Sequence, residues 1–132
     1  AFAVGTVARV GRHVGAGDAA SARLAAQVSV GFALASGFVV AVASPWVVEL
    51  LPRYAPATSP AVVQAGGDYL AVTLAASPVI FLALTGTATL QASGDTKTPL
   101  FIGVFANVLH VGMNRVLILG AAGIPAYGTR GA

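Results

Sequence analysis

The sequence has no cysteine, and only four acidic and seven basic side chains among 132 residues. Without cysteine there is no disulfide framework, no thiolate nucleophile and no cysteine-based metal site. Charged residues make up 8% of the chain, against about 25% in an ordinary soluble domain. So few charges cannot cover a globular surface in water. The seven basic residues are scattered, with no basic patch interleaved with aromatics, so nucleic acid is not an expected partner. Hydrophobic residues make up 57% of the chain and the mean hydropathy is +0.86. The lipid bilayer is the expected surrounding.

Charge is also missing in long runs. Leu24 to Val48 is 25 residues without a formal charge, enough to cross a core of ~30 Å at 1.5 Å per residue. Tyr69 to Gly94 and Thr98 to Asn114 are likewise uncharged. The last two runs meet at Gly94-Asp95-Thr96-Lys97-Thr98-Pro99, which reads as a polar hairpin. Gly94 tolerates a positive φ and Asp95 bonds nearby backbone. Thr98-Pro99 reads as a helix start, with Thr98 accepting an orphan N–H and Pro99 placed where none is needed.

Residues 1–14 are expected to be the last turns of a helix whose beginning lies outside the chain. Arg9, Arg12 and His13 mark its interfacial end, favourably placed at a helix C-terminus. Gly15, Ala16 and Gly17 end it, and Asp18 can cap the next helix. Gly15 to Ala20 also fits G-x-G-x-x-A, but no buried strand precedes it and Gly37 to Val40 offers no acid, so the dinucleotide reading fails. Further spans are expected at about 21–50, 61–92 and 99–120. Gly31 and Ala35, and Ala33, Gly37 and Ala41, form small-residue stripes suited to close helix packing. Pro45 is expected to bend or end its helix near Trp46, and three prolines fall between Leu51 and Pro60. Pro78 is expected to kink the third span near mid-membrane. Thr73 and Ser77 precede it on one face and can satisfy the freed carbonyl or line a cavity. On the last span Asn107, His110 and Asn114 share a face at i, i+3 and i+7. They either bond to neighbouring helices or lie on an ion or substrate path.

The hairpin motif resembles the Gly-Asp-Thr-Arg/Lys-Thr-Pro loop of the multidrug and toxic compound extrusion (MATE) family of carriers. Three more pieces match that family in order. His13-Val14-Gly15-Ala16-Gly17-Asp18 resembles the loop after the second helix. Asn107-Val108-Leu109 with Leu117-Ile118-Leu119-Gly120 resembles the fifth helix. Gly123 to Gly128 and Arg130-Gly131-Ala132 resemble the approach to the sixth. The resemblance implies an all-α membrane protein, a polytopic helical bundle that is part of one six-helix lobe, with the rest of the carrier outside residues 1–132. It implies no enzyme activity, no cofactor and no metal. It implies a secondary active antiporter that exports drugs or other xenobiotics, small amphipathic or cationic compounds, in exchange for H+ or Na+. In some archaeal members the fifth helix carries Asn and Asp four residues apart near the ion path. The matching register falls on His110 and Asn114, so the carboxylate is here an amide and His110 is the one titratable group on the face. The family places the loops at 15–22 and 93–98 in the cytoplasm of a multi-pass cell-membrane protein. The charge count agrees, with Arg9, Arg12, Arg23 and Lys97 on that side against Arg53, Arg115 and Arg130. In these loops Gly15, Gly17, Asp18, Gly94, Asp95, Thr96, Lys97, Thr98 and Pro99 are expected to act structurally. The rival readings are a lipid-linked flippase of a related fold and an inactive fragment of a carrier.

Overall fold

The computed structural model describes residues 2–54, 59–120, 125 and 126. Among them there are five helices and no strand: α1 (Phe2–Gly15), α2 (Ala19–Tyr54), α3 (Pro60–Ala75), α4 (Ser77–Ala92) and α5 (Lys97–Leu119). The protein is an all-α membrane protein. An apolar run in lipid must satisfy its own backbone, and a helix does this within one segment. The polar side chains in these helices follow the same rule. Ser29, Thr73, Thr89 and Ser93 each donate a hydroxyl to the carbonyl four residues back, all at 2.9 Å.

At 36 and 23 residues, α2 and α5 are each long and apolar enough to cross a membrane. α3 and α4, at 16 residues each, reach only about 24 Å singly; taken together across their break they make a third candidate span. Exposed apolar side chains are abundant, including Phe32, Phe38, Phe101, Phe105 and Val108. No residue of α5 is buried. Such surface is untenable in water and ordinary against acyl chains or further helices.

The chain divides into two compact units. The first comprises residues up to Ala41 together with Ala76–Ile102. Here α1 packs beside α4. Their C-terminal ends lie together, since a Cβ on Gly11 would come 3.9 Å from Ala92 O, and Ala3, Val7, Leu84 and Gln91 line a groove between them. The interior is built from small side chains: Thr6 and Val10 of α1, Ala22 and Ala33 of α2, and Ser77, Thr85 and Ala88 of α4 are buried. Of the two small-residue stripes on α2, only the one through Ala33 and Gly37 is buried; Gly31 and Ala35 are exposed. Gly37 is the tightest point. A Cβ built there would lie 2.5 Å from Pro78 Cα and 2.8 Å from Pro78 N. Only glycine lets the α2 backbone approach this closely.

In the second unit, Val42–Ala75 and the residues from Gly103 onward, α3 presents Gly66 and Gly67 to the C-terminal part of α2. Built Cβ atoms would sit 3.8 Å from a Leu51 methyl and 3.5 Å from a Val48 methyl, ordinary contact distances. Ser44 and Gly67 are buried.

Three expectations change. The span expected at 61–92 is two helices, broken at Ala76. Proline in a helix interior loses a hydrogen bond and clashes with the preceding turn. Here Pro78 instead occupies the first turn of α4, where no N–H is required. The new helix starts from the Ala76 carbonyl, which accepts from Val79 N at 3.0 Å and Ile80 N at 3.1 Å. Thr73 does not repair a kink, because its hydroxyl goes to Tyr69 O. Secondly, Pro45 does not end its helix: α2 runs through Pro45 and Pro52 to Tyr54. Thirdly, α5 begins at Lys97 rather than Pro99. The connection expected at 120–132 lies outside the described residues except for Gly120, Pro125 and Ala126, as do Pro56 and Arg130.

The Gly37 contact gives a direct expectation. Gly37→Ala forces backbone apart and should cost about 1–3 kcal/mol, read as a lower thermal midpoint of the full-length protein in detergent. Gly31→Ala, with nothing within 4 Å of the new Cβ, should leave the midpoint unchanged or slightly raised. Equal midpoints for the two variants would contradict the packing.

Candidate functional site

Three features of the structure carry polar chemistry. The first is the α5 face. Asn107, His110 and Asn114 all lie in the second unit on one continuous helix. His110 is thirteen residues past the start of α5, about 20 Å along a helix of about 34 Å, so the face lies near its middle. Asn107 and His110 are exposed and Asn114 is half-buried. Asn107 Nδ2 donates to Gly103 O at 2.8 Å, which leaves its side-chain oxygen as an acceptor on the outer surface. His110 has no hydrogen-bond partner among the described residues. The face is thus open towards whatever covers α5.

Thr73 belongs to α3 in the second unit, whereas Ser77 and Pro78 open α4 in the first. Ser77 is buried beside Gly37.

The second feature is a pair of matching turns. At the end of α1, Gly17 N donates to Val14 O and Asp18 N to His13 O, both at 3.0 Å, with Gly17 at φ +72. At the end of α4, Gly94 N donates to Gln91 O and Asp95 N to Leu90 O, both at 3.0 Å, with Gly94 at φ +86. Both are Schellman ends, in which a left-handed glycine closes one helix. The following aspartate opens the next. Asp18 Oδ1 accepts Ser21 N at 3.0 Å, and Asp95 Oδ1 accepts Thr98 N at 2.9 Å and Lys97 N at 3.1 Å. The cap of α5 is therefore Asp95, not Thr98. Thr96 and Lys97 are exposed and Pro99 sits within the first turn. The two turns lie at the same end of the first unit, since a Cβ on Gly11 would come within 3.9 Å of Ala92 O.

These bonds set the acid behaviour of both carboxyls. The Thr98 side chain, then the Thr98 and Lys97 N–H groups, hold Asp95 below the usual carboxylate range against a small opposing effect of burial. The Ser21 side chain and N–H do the same for Asp18, aided by His13 and the Ala20 N–H. A carboxyl depressed in the folded state stabilises it above the unfolded pKa, and that stabilisation is lost as pH falls through the folded value.

The third feature was not singled out in the sequence. In the first unit a cleft of about 500 Å³ runs between α1 and α2 down to α4, lined by Thr6, Arg9, Val28, Ser29, Phe32 and Thr85 among others. A hollow of about 240 Å³ adjoins it, sharing Arg9 and Val28 and reaching His13, Ser21 and Leu24. The signal available in the sequence was the spacing of Thr6, Arg9 and His13 at i, i+3 and i+7, which puts them on one face of α1. Among the described residues no three His, Cys, Asp or Glu side chains gather as a metal site.

Residues 1–116 match the family model MatE, an interval that contains both turns, the cleft and the whole α5 polar face. The probable multidrug resistance protein NorM of Thermotoga maritima is 27% identical over 132 residues, covering 100% of this chain and 28% of that protein. The probable multidrug resistance protein YoeA of Bacillus subtilis is 33% identical over 70 residues, covering 53% of this chain and 15% of that protein. The chain thus spans less than a third of the length of these curated relatives. No solved structure gives a significant match.

The caps generate the second expectation. At neutral pH Asp95→Ala should lower the thermal midpoint of the full-length protein more than Asp95→Asn, because Asn still accepts at a cap. Between about pH 7 and pH 3 the wild type should lose more of its midpoint than Asp95→Asn, which has no carboxyl to protonate. Parallel pH curves would rule out the cap as the source of the shift.

Proposed function

Because the chain belongs to the MatE family, we propose that it forms part of a carrier exporting drugs or other xenobiotics in exchange for H+ or Na+. The observation that supports this most is the family match, which runs unbroken through the apolar helices and both turns. The names of the two relatives, both probable multidrug resistance proteins, point the same way. In this reading the bilayer surrounds the helices, the remainder of the carrier completes the lobe, and the substrates are small amphipathic or cationic compounds.

The α5 face is the proposed contribution to the ion or substrate path. An exposed histidine and two amides halfway along an apolar helix are expensive unless protein or water faces them. With an amide at Asn114 in place of a carboxylate, His110 is the one ionisable side chain of the three on this face. The turns at Gly17-Asp18 and Gly94-Asp95 have a different role. They set helix ends and hold interfacial charge, and the side they occupy is proposed to be the cytoplasm.

The test of the function uses the full-length carrier in vesicles under an imposed proton or sodium gradient. Efflux of a cationic dye driven by the gradient, and abolished when it is dissipated, is expected. In the same vesicles His110→Ala should slow gradient-driven efflux and change its pH profile. A wild-type rate with an unchanged pH profile would remove His110 from the coupling path. Orientation is read separately on intact cells. An impermeant thiol reagent should label Ser59→Cys and not Ser93→Cys or Ala19→Cys; the reverse pattern would invert the topology.

A further inference from the structure

We propose that the Arg9 cleft of the first unit binds an anionic phospholipid, with its phosphate at Arg9 and an acyl chain along Val28 and Phe32. The inference rests on the membrane embedding of the helices and not on the export reaction. The cleft is amphipathic along its length. At one end Arg9 lines both the cleft and the adjoining hollow, where His13 joins it. Beyond that end the walls are apolar in effect, because the Ser29 hydroxyl is turned to Ala25 O and Thr6 and Thr85 are buried in the helix interface. Val28 and Phe32 are exposed on the α2 wall.

The charge balance selects the sign of the ligand. Among the described residues, no acidic side chain lines the cleft or the hollow. Arg12 and Arg23 lie on the same end of the unit. The acids of that end, Asp18 and Asp95, are committed to the caps of α2 and α5. A cationic amphiphile would be repelled here, so the cleft is not a second substrate site of the proposed carrier. A small soluble anion would leave the apolar walls unused.

Depth selects a lipid. Arg9 precedes the end of α1 at Gly15 by six residues, about 9 Å of helix. That places its guanidinium within snorkelling reach of the boundary between headgroups and acyl chains. Basic pockets between membrane helices are recurrent sites for anionic headgroups, and arginine suits phosphate through its paired donors.

The experiment uses the full-length carrier in vesicles doped with photoactivatable phosphatidylglycerol or, separately, photoactivatable phosphatidylcholine, followed by peptide mapping. Adducts on the Val28–Phe32 segment should form about fivefold more with phosphatidylglycerol, the effect of about one unscreened headgroup–cation contact. Arg9→Gln should bring that yield down to the phosphatidylcholine level, and Arg9→Lys should keep most of it. If Arg9→Gln does not accumulate, Val28→Trp, which fills the cleft from α2, should abolish the adduct instead. Equal labelling by the two lipids would mean unselective acyl contact and overturn the proposal. No adduct at Val28–Phe32 would mean that another helix of the carrier covers the cleft, and would overturn it too. Neither result depends on transport, so failure here leaves the export reading intact.

Discussion

The first unit is organised around a missing methyl group. Gly37 presents bare backbone to the point where α4 begins, and Pro78 stands there with its Cα and N closer than any side chain would allow. In lipid, helices gain little from the hydrophobic effect on meeting, so close packing of backbones supplies much of the attraction. A glycine opposite a proline is an efficient contact of this kind. The proline has no N–H to satisfy, and the glycine has no side chain to displace. The other buried side chains of this unit are small as well, among them Ala33, Ser77, Thr85 and Ala88.

This contact also explains which parts of the structure could be read from the residues alone. The membrane class, the helical character of the long apolar runs and the two polar turns follow from composition and local chemistry, and they were legible. The break at Ala76 was not. A proline within an apolar run permits either a kink or a restart, and the restarted helix sets its first turn against a glycine forty-one positions away. The continuation of α2 through Pro45 and Pro52 has the same character, since local propensity favours an end that the fold does not adopt. The cap of α5 was misread at Thr98 for a purely local reason. Once Gly94 closes α4 in the left-handed region, the next residue already stands at the start of α5, so Asp95 becomes the acceptor. The earlier turn, with Gly17 and Asp18, has the identical register and could have supplied the answer by analogy.

The functional residues divide along similar lines. The α5 face was visible as three polar side chains at helical spacing in an otherwise apolar run, and the structure keeps them together and open. Thr73 and Ser77 were placed on one helix face by their spacing, but the break at Ala76 assigns Thr73 to α3 and Ser77 to α4. The Arg9 cleft was invisible because its walls come from three helices, and no local pattern announces that Phe32 and Thr85 lie beside Arg9. An arginine near a helix end reads as an interfacial marker until the neighbouring helices are placed.

A double-mutant cycle on Gly37→Ala and Pro78→Ala, measured as thermal midpoints of the full-length protein, tests the central contact most directly. Replacing the proline removes the reason for the helix to restart at Ala76, and lets the backbone opposite residue 37 withdraw. The two changes are therefore expected to be non-additive, with the damage from Gly37→Ala partly relieved in the double variant by an interaction of about 0.5–3 kcal/mol. Effects that add to within about 0.5 kcal/mol would mean that the two positions do not sense one another, and the account of the first unit built on their contact would be wrong.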